Sequence, residues 1–119
     1  MDTITSLSVA RMIIGVSSWA APALSLRLAM LDDGAPQSAY LLRLFGVRDI
    51  ALGAATLSAS GAARTDLVKI GIVVDAADAV AGLLAASSGG VSKPKGALLA
   101  VPGLAAVAIG WLALAESKD

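Results

Sequence analysis

Apolar residues fall into four long runs along the chain, separated by short stretches rich in charge, glycine and proline. The first run covers about 5–31 and ends at Asp32-Asp33-Gly34-Ala35-Pro36, a polar turn whose proline cannot continue a helix. The second covers about 38–60 and closes at Gly61-Ala62-Ala63-Arg64-Thr65. Asp66 stands where a helix N-cap belongs, and the third run extends over 66–88. Ser87 to Gly96 is the longest loop signal, and the fourth run covers 97–115 before a polar tail. Each run has 19 to 27 residues, about 30–40 Å as helix and enough to cross a bilayer's hydrocarbon core with some tilt. The pattern therefore predicts an all-α fold: an integral membrane antiparallel four-helix bundle, one domain over 1–119, with both termini on one side. The start of the first run has roughly the shape of a signal peptide, but Ala21-Pro22-Ala23 is a poor cleavage site, and it reads better as a membrane helix.

Each run carries a line of small or polar residues in steps of mostly three and four, which keeps them on one helical face. In the first these are Arg11, Gly15, Ser18, Pro22 and Ser25; in the second Gly46, Asp49, Gly53, Thr56 and Ser60. The third has Gly71, Asp75, Asp78, Gly82 and Ala85, and the fourth Gly96, Ala100, Gly103, Val107 and Gly110. Lipid supplies no hydrophobic drive between helices, so small residues that let backbones approach mark the packed face. Spacing averaging 3.5 residues favours left-handed crossings near +20°. The uncharged fourth run suggests that its glycine line can receive a second subunit, so a homo-oligomer or a larger membrane complex is expected.

Composition strengthens this picture. The chain is 57% hydrophobic and 15% charged, against about 45–50% and 25% in soluble domains. Nine basic and nine acidic residues cancel, which leaves no broad electropositive surface for nucleic acid. The absence of cysteine and histidine excludes disulfides, thiol and imidazole catalysis, and His–Cys metal sites. Four aromatics among many alanines fit closely packed helices better than strands. Basic residues divide as Arg11, Arg64, Lys69 and Lys118 on the terminal side and Arg27, Lys93 and Lys95 on the other, a small excess that points to cytoplasmic termini.

The charges inside the runs are the candidate functional residues. Arg48 and Asp49 sit mid-way along the second run, Asp75 and Asp78 mid-way along the third. Each costs about +2.5 to +3.5 kcal/mol at a helix centre. The eight Leu, Ile, Val and Phe residues between Leu41 and Leu57 return only roughly 2.5–5 kcal/mol. The second helix thus needs a partner. Folding back near Ala63 places residue i level with 126 − i, so Arg48 meets the depth of Asp78, with Asp75 one turn away. The expected network is Arg48 with Asp75 and Asp78, Asp49 in or beside it, Arg11 reaching in from the first helix, and Arg43 nearer the end, where it can snorkel. Arginine's planar fork suits bridging two carboxylates. Such a closed network can fix helix register, or it can form an intramembrane ligand or proton site.

Other chemistries find less support. Asp75-x-x-Asp78 lacks the following Gly and the second Asp pair of CDP-alcohol phosphotransferases, and no metal or cofactor is expected. Trp19 falls mid-helix as a packing residue, whereas Tyr40 and Trp111 lie where an aromatic belt belongs. Pro102-Gly103 is expected to bend the fourth helix.

At Arg11-Met12-Ile13-Ile14-Gly15, Leu42-Arg43-Leu44-Phe45-Gly46-Val47-Arg48-Asp49 and Val74-Asp75-Ala76-Ala77-Asp78 the chain resembles the small four-helix bacterial membrane proteins of the DoxX-like group and related families of unknown function. The resemblance implies a four-helix integral membrane protein. Relatives of that group are linked to quinone-dependent redox chemistry, for which this chain has no Cys or His. It also departs from small multidrug transporters, whose first helix carries a lone Glu where this one carries Arg11. The expectation is a non-enzymatic accessory or structural subunit. The alternative is a small proton-coupled transporter or ligand binder using Asp75 and Asp78.

Overall fold

The computed structural model describes residues 2–28, 36–89 and 92–117. All regular structure in them is helical: α1 (Thr3–Ala20), α2 (Pro22–Leu28), α3 (Pro36–Ser58), α4 (Gly61–Ser87) and α5 (Lys93–Ser117). The expected turns at 32–35 and 90–91 lie outside the described residues, as do Lys118 and Asp119.

The first apolar run is not one helix. α1 stops at Ala20, Ala21 leaves helical geometry (φ −133°, ψ 63°), and α2 departs at 117° from α1. Pro22 accounts for the break, because it has no N–H for the Ser18 carbonyl and steers the residue before it out of the α region. The Ser17 carbonyl takes up two donors at the corner, the Ala21 N–H at 2.9 Å and the Ser25 hydroxyl at 3.0 Å.

The expected turn at 61–65 is shorter. Only Ala59 and Ser60 separate α3 from α4, Gly61 turns the chain at φ +59°, and Ser60 rather than Asp66 holds the N-cap position. Ala62, Ala63 and Arg64 are strong helix formers and carry α4 back to the turn. α5 continues through Pro102 and begins four residues earlier than expected, at Lys93.

The helices run alternately up and down as two tight pairs, α1 on α3 and α4 on α5, which meet less extensively through α1 with α5 and α3 with α4. Glycine sets the first pair's spacing. A Cβ on Gly15 would lie 2.6 Å from the Gly46 carbonyl oxygen, and one on Gly46 would lie 2.6 Å from that of Gly15. Gly53 meets Ser8 and Met12 in the same seam. In the second pair, a Cβ on Gly103 would come 2.6 Å from the Asp75 carbonyl, Gly82 packs on Leu99 and Ala100, and Gly110 packs on Ile72. The glycine line of α5 is therefore occupied by α4 of the same chain. It is not left open for a second subunit, because Gly82, Ala79 and Ile72 already fill it.

The termini lie at one end. Asp2 caps α1 by accepting from the Thr5 N–H at 2.7 Å, and Arg64 of α4 donates to Asp2 and to the Thr5 hydroxyl. The Thr3 hydroxyl donates to Glu116 of α5 at 2.5 Å. Beneath this clasp Ile4, Val68, Ala113 and Leu114 form the apolar cluster in which all the long helices except α3 share.

Candidate functional site

Beside the apolar cluster, the interior holds several polar and charged side chains, while many large apolar ones lie outside. Ser8, Arg11, Ser18, Asp49, Thr56 and Asp75 are buried, while Ile13, Val73, Leu83 and Leu112 are among many large apolar side chains that are more than half exposed. Ser8 and Thr56 satisfy their hydroxyls by donating to the carbonyls of Ile4 and Leu52, one turn back in their own helices.

The buried charges centre on Arg11. Its Nη1 donates to Asp75 Oδ1 at 3.0 Å and its Nη2 donates to Asp75 Oδ2, a two-pronged contact between α1 and α4, which stand diagonal to one another. Asp49 Oδ1 stands 3.6 Å from Nη1. The three side chains are 11%, 7% and 7% exposed. Gly71, one turn before Asp75, makes room for the guanidinium: a Cβ there would lie 2.9 Å from Nη2. A cavity of about 10 Å³ beneath, lined by Ser8, Arg11, Thr56 and Gly71 among others, has room for a single water.

Arg48 forms a separate pair. Its Nη2 donates to Asp78 Oδ2 at 2.6 Å, and its guanidinium lies 5.2 Å from the centre of the Phe45 ring. This pair opens to the outside, with side chains 42% and 34% exposed. The expected single network is thus two units: Arg48 holds Asp78 as its depth requires, whereas Asp75 belongs to Arg11. Register between α3 and α4 alone could not show this, because Arg11 crosses the bundle from the opposite corner.

Arg43 joins neither unit. Its Nε donates to the Trp19 carbonyl at 3.1 Å, and its guanidinium lies 6.0 Å from the Trp19 ring. The carbonyl is one of those left without a helical partner where α1 ends, so the arginine sits where a cation favours a helix C-terminus. Trp19 itself is half exposed in the last turn of α1, not packed at mid-helix. Without Arg43, two guanidiniums face three carboxylates.

Among the described residues no group of three acidic side chains is placed to hold a metal ion. By length and composition one helix, Pro94–Glu116, is apolar enough to cross a membrane, or two if the bent α1–α2 pair is counted as one span. α3 and α4, which carry the central charges, are not among them. Only 28% of the α5 span is buried. In comparisons with known proteins the chain matches no family model, no curated protein and no solved structure.

Proposed function

We propose that this chain is a non-enzymatic integral membrane four-helix bundle, an accessory or structural subunit of a bacterial plasma membrane with cytoplasmic termini. In this reading the Arg–Asp contacts fix how its helices register. The observation that carries it is the number of large apolar side chains on the outside, leucine, isoleucine, valine and tryptophan, while hydroxyls, carboxylates and a guanidinium are among the buried groups. Water would strongly disfavour such a surface, since large contiguous apolar patches are rare on soluble monomers. Lipid favours it. The charges of α3 and α4 that make each a poor span alone are offset by partners inside the chain, as intramembrane charges generally require. α1, at 18 residues, is about 27 Å long, close to a bilayer's hydrocarbon thickness. The resemblance of its short motifs to those of the DoxX-like group implies the same architecture.

The transport alternative needs Asp75 or Asp78 free to exchange a proton or bind a ligand. Asp75 is held at both oxygens by Arg11, and Asp78 is held by Arg48, which favours register over transport. The chain has no cysteine, so single-cysteine variants report cleanly. A membrane-impermeant maleimide should reach Ser60→Cys from the cytoplasmic side and Ser88→Cys from the other, with the protein resisting alkaline extraction. Labelling of both from one side, or release by alkali, overturns the reading.

A further inference from the structure

Arg48 and Asp78 differ from the other buried-zone charges in what covers them. Arg11, Asp49 and Asp75 are enclosed by helices, yet Arg48 and Asp78 stand about two-fifths and one-third open on the flank between α3 and α4. They touch through one hydrogen bond, which leaves most of the guanidinium's donors without an acceptor. Both lie in the central turns of their helices. In water a half-open surface pair needs no cover. At the middle of a bilayer it does, because each charge faces a medium that cannot solvate it.

We propose that this flank is a self-association surface, and that a second copy of the chain covers the pair by laying the same flank against it. The inference rests on the membrane reading. Its geometric ground is charge self-complementarity. Arg48 and Asp78 stand at one height on adjacent antiparallel helices. A two-fold axis along the bundle keeps every residue at its height and sets α3 opposite the mate's α4. Each arginine then meets the mate's aspartate, and four charges of alternating sign close into a square. Among the described residues the glycine lines of all four long helices are spent inside the chain and leave no small-residue seam for a second copy. Around the pair, Ala51 and Ala55 on α3 and Ala77 and Ala81 on α4 are exposed, so little bulk holds a second copy off.

The test is native mass spectrometry of the full chain released from lipid nanodiscs, beside alkaline extraction of the membranes. Wild type is expected as a dimer. Arg48→Asp and Asp78→Arg should each be monomeric alone and dimerise when mixed, because their charges then oppose across the axis. Ala51→Trp, which alters an exposed position and no contact within one chain, should raise the dimer dissociation constant at least about tenfold, or 1.4 kcal/mol. It serves if the charge variants misfold. A monomeric wild type in membranes overturns self-association, and a dimer unaffected by Ala51→Trp overturns this flank as its surface; both leave the membrane reading standing. Recovery in the aqueous fraction overturns both.

Discussion

Cutting the Arg11–Asp75 contact should destabilise the protein far more than cutting Arg48–Asp78, although both join an arginine to an aspartate in the middle of helices. Arg11→Met keeps most of the side chain's volume but leaves Asp75 and Asp49, each 7% exposed, facing one another with no cation. Removing one partner of a buried pair costs about 3–5 kcal/mol. Asp75→Asn abolishes the same two-pronged contact but leaves Arg11 its neighbour Asp49 at 3.6 Å, so about 3 kcal/mol is expected. In the double variant the orphaned charges are fewer, and the losses should fall short of their sum by about 2 kcal/mol, within the usual range for residues in direct contact. For Arg48→Met and Asp78→Asn in a monomeric detergent micelle, the exposure of both groups limits the coupling to about 1 kcal/mol or less. The assay is reversible unfolding in mixed micelles, followed by circular dichroism, for both four-member cycles. Additivity within about 0.5 kcal/mol at Arg11–Asp75, or the stronger coupling at Arg48–Asp78, would refute the division into an enclosed unit and an open one.

Asp49→Asn should be nearly neutral or mildly stabilising in the same assay, because it relieves an excess of three carboxylates over two guanidiniums; a loss above about 2 kcal/mol would show that Asp49 is a required partner of Arg11. Gly46→Ala should cost about 1–3 kcal/mol through overpacking against Gly15, measured as a fall in Tm, whereas Gly89→Ala, at φ +80° with open space around a Cβ, should act only through its backbone, at about 1 kcal/mol. Hydrogen bonds from the Thr5 hydroxyl and N–H, with Arg64 beside it, hold the Asp2 carboxyl below the usual range. Its folded value therefore lies under its unfolded one, so its contribution is present above pH about 4 and is lost as pH falls through the folded value. Melting curves of wild type and Asp2→Ala should differ at neutral pH and converge in acid; a constant gap would refute this role.

The faces of the helices were readable from residue spacing because helical geometry is local. Arg11, Gly15 and Ser18, and Gly46, Asp49, Gly53 and Thr56, lie on the buried sides of α1 and α3. Depth could be read as far as one turn reaches, which is why Arg48 could be set level with Asp78. Two things lay beyond local spacing. The break at Pro22 sits inside an apolar run whose hydrophobicity continues through it, so periodicity hides what the missing N–H does. The partner of Asp75 depends on which helices stand diagonal to one another. The four-residue step from Gly71 to Asp75 was the available signal, since it marks a vacancy beside a carboxylate that a long side chain from elsewhere can enter. Arg43 bonds the Trp19 carbonyl because a charge close to a helix break finds a carbonyl sooner than a distant carboxylate.

The two-residue turn between α3 and α4 bears on how such a chain would be made. Neither helix is apolar enough to leave the translocation machinery for lipid by itself, and only Ala59 and Ser60 separate them. If the bundle crosses a bilayer as proposed, the two must enter as one preassembled hairpin, with Arg48 already closed on Asp78. Asp49 and Asp75 then still await a guanidinium carried by a helix synthesised earlier. α1 cannot diffuse away before the hairpin arrives. Biogenesis would be ordered by charge: an N-terminal helix held in waiting, a hairpin that docks on its arginine, and last α5, uncharged between Ala97 and Ala115, which can partition unaided and lock the assembly from outside.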